Sequence, residues 1–158
     1  MTRNFIGNAA MAGVIAGLAG GTAEVVWIWL YGTITGNDAG LVARAVTDAV
    51  GVDSHWLSPV YLGLAIHMTL AAALGVALAT AIRFAPGRLP SVGVSTMVIA
   101  ALAIVWAANF FVVLPLISPE FVTIVPLEVS FLSKLLFGVA AAGFFQFARF
   151  SRRNLVPA

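Results

Sequence analysis

The sequence predicts an all-α integral membrane protein, a four-helix bundle with both termini on the cytoplasmic side. Two observations predict this fold class. Of the 158 residues, 61% are hydrophobic and only 9% are charged, with a mean hydropathy of +1.05, whereas a soluble domain carries about 25% charged residues. Four segments also each contain the about 20 mostly apolar residues that cross a bilayer as a helix. At this length we expect a single membrane domain, residues 1–158.

The four predicted transmembrane helices cover residues 9–31, 59–82, 92–116 and 127–148. The first could instead be a secretory signal peptide, because Arg3 precedes it and Gly21-Thr22-Ala23 resembles a cleavage site. The apolar run continues past that point to Leu30, which favours a helix that is retained.

The distribution of basic residues predicts the orientation. Six arginines fall in segments that the four spans place on one side: Arg3, Arg83, Arg88, Arg149, Arg152 and Arg153. The other side holds Arg44 with five acidic residues: Asp38, Asp48, Asp53, Glu120 and Glu128. The arginine-rich side should be cytoplasmic. We therefore expect a multi-pass protein of the cytoplasmic (inner) membrane, and the Arg, Ala and Gly content favours a bacterial source.

The long first outer loop predicts a short surface helix over residues 39–50, with Asp38 as its cap and its end at Gly51. The apolar positions share one face: Leu41, Val42, Ala45, Val46, Ala49 and Val50. Arg44, Thr47 and Asp48 fall on another face. This helix could lie on the outer membrane surface, or it could pack as a lid on the bundle.

Each predicted span contains one strongly polar residue: Glu24, His67, Asn109 and Lys134. Each lies seven or eight residues from the outer end of its span, which corresponds to a depth of about 10–12 Å. We therefore predict an intramembrane polar cluster. It could be a clamp that fixes helix register, or it could be a site for a proton, an ion or a small ligand.

Small residues spaced four apart allow helices to approach closely, and several lie on the same ladders as the polar residues. The predicted helix-packing positions are Gly13, Gly17, Gly21, Gly63, Gly75 and Gly138. The first three form a ridge that Glu24 continues. That ridge could pack against another helix of the same chain or against a second protomer.

The motifs of common enzyme and metal sites are absent. The chain has no cysteine, no HExxH motif and no GxSxG motif, and its two histidines, His55 and His67, are fewer than the three ligands of a usual catalytic metal site. We expect no enzyme activity, catalytic residue, cofactor or metal. Haem ligation by His67 is an open alternative.

Three stretches carry a resemblance to a known family: Gly63-Leu64-Ala65-Ile66-His67, the run from Asn109 to Leu116, and Ala43-Arg44-Ala45-Val46 before Gly51. Over residues 13–143 the chain resembles a family of small, uncharacterised four-helix bacterial inner-membrane proteins. The resemblance implies the four-helix fold and the membrane location, and it implies no activity. Such proteins often have another polar residue, commonly His, where this chain has Lys134.

Three functional interpretations follow. The first is a non-catalytic accessory or envelope-associated membrane protein, and the second is a small ion- or proton-coupled transporter. The third, a redox or quinone-linked membrane subunit, depends on His67 and the tryptophans. The lipid bilayer is the expected partner, and the chain could also join a homo-oligomer or a larger membrane complex. Nucleic acid is not expected, because the pI of 9.7 reflects a net charge of +2 and no basic patch with aromatics.

Overall fold

The computed structural model describes residues 2–38, 40–52, 56–85 and 89–154, and the side chains of residues 9–38, 40–52, 56–85 and 89–148. In this part of the chain every regular element is helical. The helices are α1 (Thr2–Thr35), α2 (Leu41–Val50), α3 (Pro59–Phe84), α4 (Ser91–Ala108), α5 (Leu114–Ile117), α6 (Phe121–Ile124) and α7 (Leu127–Asn154). A π-helical segment, Asn109–Val113, joins α4 to α5. The sequence predictions for Ala39, Asp53, His55 and Arg88 fall outside the described residues.

Four helical stretches are long and apolar enough to cross a membrane: Ala9–Thr35, Pro59–Phe84, Ser91–Ile117 and Leu127–Ala148. The predicted all-helical class and the four spans are therefore confirmed. The largest difference in bounds is at the end of the first span, which continues past residue 31 to Thr35. The hydroxyl of Thr35 donates to the carbonyl of Tyr31 at 2.8 Å, so this polar residue satisfies its own hydrogen bond inside the helix.

The order of packing decides which helices can form a common site. Helix α1 packs against both α3 and α7, and α7 also packs against α4, whereas α3 and α4 contact each other over a short stretch. Phe137 of α7 and Val94 and Val98 of α4 are fully buried in the core. Large apolar side chains also face outward, such as Ile104, which is 70% exposed. An apolar outer surface of this kind suits contact with lipid.

A glycine ridge on α1 brings its backbone against that of α3. A Cβ atom added at Gly17 would lie 2.1 Å from the carbonyl oxygen of Ala71, and one added at Gly75 would lie 2.2 Å from the carbonyl oxygen of Gly13. At Gly21 an added Cβ would lie 2.7 Å from the Cβ of Ala71. The ridge of Gly13, Gly17 and Gly21 thus packs inside the chain, against α3.

The third span contains a π-helical segment, Asn109–Val113, directly before Pro115. Proline has no N–H to donate, and its ring crowds the carbonyl four residues earlier. The wider turn accommodates this, since the amide of Leu114 donates to the carbonyl of Asn109, five residues back. Positions 102, 110 and 114 remain buried along one face, and Asn109 falls beside that face.

Helix α2 packs against α3. A Cβ atom added at Gly63 of α3 would lie 1.8 Å from the carbonyl oxygen of Ala43, so Gly63 packs against α2. Thr47 donates its hydroxyl to the carbonyl of Pro59 at 2.7 Å. The predicted faces of α2 are partly wrong. Thr47, predicted on the polar face, is buried, whereas Leu41 and Val50, predicted on the apolar face, are exposed. The hydroxyl is buried because α3 offers it an acceptor.

The loop before α2 is fixed by Asp38. Its carboxylate accepts a hydrogen bond from the amide of Gly40 at 2.7 Å and pairs with the guanidinium of Arg44. The hydrogen bond from Arg44 lowers the pKa of Asp38 below its usual value. Asp38 thus sits ahead of the helix, and Gly40 is the N-cap residue. At the other end Gly51 is the C-cap with φ 67°, the left-handed conformation that glycine adopts without strain.

Candidate functional site

Glu24 lies on the face of α1 that contacts both α3 and α7, and it is 4% exposed. It continues the glycine ridge one turn above Gly21, where α1 and α3 approach closely. Burying a single carboxylate in an apolar span is costly. Its position therefore depends on the groups that α3 and α7 bring to it.

One carboxylate oxygen of Glu24 is held by α7. The ammonium Nζ of Lys134 lies 2.6 Å from Glu24 Oε1, and the hydroxyl of Ser133 donates to the same oxygen at 3.2 Å. Lys134 also lies over the ring of Phe137, 5.5 Å from its centroid. A charged pair with an added hydrogen bond offsets part of the cost of burial for both groups.

The second oxygen of Glu24 faces α3. His67 Nε2 lies 3.6 Å from Glu24 Oε2, which is too long for a hydrogen bond. Both atoms are buried, and neither has a hydrogen-bond partner in the described part of the protein. The carboxylate is therefore satisfied on its α7 side and unsatisfied on its α3 side.

The side chains around the carboxylate are less buried than the carboxylate itself. The side chain of Glu24 is 5% exposed, whereas those of Lys134 and His67 are 20% and 26% exposed. The arrangement suits exchange of a proton, since a carboxylate and a neutral imidazole can each bind one and an ammonium can release one.

Asn109 does not join this group. It is exposed, and no hydrogen bond of the described residues links it to Glu24, His67 or Lys134. The prediction that four residues form the cluster is wrong for Asn109. The physical reason is the buried face of the third span. Leu102 of α4 and Phe110 of the π-helical segment are buried in the bundle, which leaves the neighbouring position 109 outside.

Two further residues of the site were not predicted. Ser133 is buried at 6% exposure and donates a hydrogen bond to Glu24. The sequence signal for it is a polar residue next to Lys134 within an apolar span. Trp27 donates its indole N–H to the carbonyl of Val129 at 3.1 Å, which joins α1 to α7 one turn above Glu24. A tryptophan near a span end suggests the aromatic belt, so its role in helix packing had no distinct sequence signal.

Trp106 lies among phenylalanines of the third and fourth spans. Its ring centroid is 4.8 Å from that of Phe131 and 5.8 Å from that of Phe110, and its N–H donates to the Ser130 hydroxyl at 3.1 Å. These contacts are those of a packed aromatic cluster. Lower in the bundle Gln146 donates to the Ser95 hydroxyl at 2.6 Å, and Gly138 faces Ile99 and Leu102 of α4.

Within the described residues, no group of three or more His, Cys, Asp or Glu side chains lies close enough together to hold a metal ion. No protein-family model, curated protein or solved structure matches the chain. The resemblance to small four-helix membrane proteins stays a prediction.

Proposed function

We propose that this protein is a small proton-coupled transporter of the cytoplasmic membrane, and that Glu24 is the group that binds and releases the proton. The observation that carries the proposal is the unequal use of the two carboxylate oxygens. Oε1 is bound by Lys134 and Ser133, whereas Oε2 faces His67 Nε2 at 3.6 Å without a hydrogen bond. A group that serves packing alone gains stability by satisfying both oxygens.

The position of Glu24 would couple proton binding to helix packing. Protonation removes the negative charge that offsets Lys134, and an unpaired lysine inside a span costs roughly 2.5–3.5 kcal/mol. The chain can lower this cost by moving Lys134 toward water or by separating α7 from α1. A proton taken up at Glu24 would therefore change the contact between two helices, as a coupled transporter requires.

The orientation and the membrane belong to the same proposal. The six arginines on one side favour cytoplasmic termini, which would place Glu24 nearer the outer surface. Transport of this kind includes no catalytic step.

A second candidate function is supported by the short contact between Lys134 Nζ and Glu24 Oε1, 2.6 Å. In this interpretation the pair is a clamp between α1 and α7, and the protein is a non-catalytic accessory subunit that acts through a membrane partner. A clamp needs the pair to stay closed and ionised. It predicts that Glu24 does not bind a proton while the protein is folded.

Infrared spectroscopy of the protein in lipid bilayers distinguishes the two functions, because a protonated carboxyl has a C=O stretching band that a carboxylate lacks. During a pH titration we expect a carboxyl band that is missing from Glu24→Gln. The matched control is Glu128→Gln, in the first turn of α7 and six residues before Lys134, which should retain the band. If Glu24→Gln and the wild type give the same carboxyl bands while both remain folded, the clamp is the better account.

A further inference from the structure

A groove lies between α4 and α7, and its lining includes no residue of α1 or α3. Its volume is about 500 Å³, and Ile99, Phe131 and Leu135 are among its apolar walls. Val92 on its rim is 76% exposed, so the groove is open to the surroundings of the bundle. In a membrane protein these surroundings are lipid.

The groove changes from polar to apolar along its length. The four polar lining residues lie at one end: Ser91, Ser95, Thr96 and Gln146. Beyond them the lining is apolar. The lining of α4 runs from Ser91 to Ala103, which is about 18 Å of helix. Half of a hydrocarbon core is about 15 Å thick. The groove therefore matches one acyl chain of a single leaflet, with the polar end at the level of the headgroup.

Two arginine positions follow the polar end of the groove along α7. Helix α7 continues to Asn154, so the positions of Arg149 and Arg153 follow Gln146 by three and seven residues on the same helical face. Because Gln146 bonds Ser95 and the two helices are antiparallel, position 149 is level with the start of α4. None of the six acidic residues of the chain falls at positions 85–119 or 129–158. The basic end complements a phosphate group.

We infer that this groove is a binding site for an anionic phospholipid, with one acyl chain along α4 and α7 and the phosphate at the arginine-bearing end. The inference is independent of the function of Glu24 and of the orientation in the membrane. The occupant is a lipid and not a second copy of the chain, because a phospholipid brings a phosphate to the arginine positions and a protein helix does not.

Native mass spectrometry of the purified, delipidated protein tests this site. The probes are phosphatidylglycerol and phosphatidylcholine with the same acyl chains, titrated separately. We expect one phosphatidylglycerol to bind more tightly than phosphatidylcholine. Because each basic residue near an anionic surface contributes about 1 kcal/mol, Arg149→Gln with Arg153→Gln should weaken phosphatidylglycerol binding by about 30-fold and leave phosphatidylcholine binding unchanged.

A second variant tests the groove itself. Ala100 lines the groove and is exposed, so Ala100→Phe should fill it without disturbing the core and should weaken binding of both lipids. Ala108→Phe is the matched control, since Ala108 is an exposed alanine of the same helix outside the groove. Equal affinity for the two lipids, or equal binding by Ala100→Phe and Ala108→Phe, would overturn the inference. A lipid-free dimer that Ala100→Phe abolishes would identify a second copy as the occupant and would also overturn it.

Discussion

At the scale of single residues, the carboxylate of Glu24 is the buried charge that three helices share. It contacts Lys134 and Ser133 from α7 and faces His67 from α3. Counting residues from the outer ends of the spans predicts that Glu24, His67 and Lys134 lie at one level, and the small-residue ladders predict that they face neighbouring helices. The same count gives Asn109 an equal depth, but Asn109 is exposed. Depth alone does not decide the direction in which a side chain points.

The Glu24–Lys134 pair leads to a prediction about stability. Removing one partner leaves the other charge buried, so Glu24→Gln or Lys134→Met alone should lower the free energy of unfolding by about 3 kcal/mol. The double variant loses both charges together and should be less destabilised than either single variant. Unfolding in detergent, followed by circular dichroism, measures the cycle. Strictly additive losses would show that the two side chains do not interact.

At the scale of the helices, glycine decides how closely elements approach. The i, i+4 spacing on α1 predicts a close-packing face but leaves its partner open, because small residues fit another helix of the chain or a second protomer equally well. In the structure this face packs against the small residues Ala71 and Gly75 of α3. The π-helical segment before Pro115 was not predicted, since a proline indicates a distortion without specifying its form.

The α1–α3 contact predicts the effect of a larger side chain at Gly17. An added Cβ would already meet the backbone of Ala71 at 2.1 Å, so Gly17→Leu must separate the helices and should destabilise the protein by about 3 kcal/mol or more. Gly143→Leu is the matched control, because a Cβ there meets no atom within 4 Å. Thermal unfolding in detergent compares the two variants. Equal melting temperatures would remove the ridge as a packing element.

The packing of α2 predicts a pattern of chemical labelling, for which the cysteine-free chain is well suited. Single cysteines at Ala45 and Thr47 should react slowly with a water-soluble maleimide, because both residues are buried. Cysteines at Asp48 and Val50 should react faster, since both side chains are exposed. A uniform rate along the segment would contradict a helix packed on α3.

At the scale of the whole molecule, composition and four apolar spans were sufficient to predict a helical membrane protein. The order of packing was not predicted, because hydropathy gives the number and length of spans but not their neighbours. The central position of α1, between α3 and α7, explains why Glu24 rather than another polar residue is shared by three helices.

The arginine distribution predicts the topology of the molecule. Reporter fusions at Gly87 and after Ala158 should give a cytoplasmic signal, and fusions near Asp48 and Glu120 should give a signal from the opposite side. The expectation follows from six arginines on one side and one on the other, a bias that sets orientation during insertion. A C-terminal fusion reporting from the outer side would contradict the proposed orientation.

The most direct test of the central claim is proton movement across the membrane of proteoliposomes. A pH-sensitive dye inside the vesicles reports the decay of an imposed pH gradient for the wild type and for the double variant Glu24→Gln with Lys134→Met. We predict that the wild type dissipates the gradient faster than protein-free vesicles, whereas the folded double variant matches them. If the wild type and the double variant dissipate it at the same rate, Glu24 does not carry the proton.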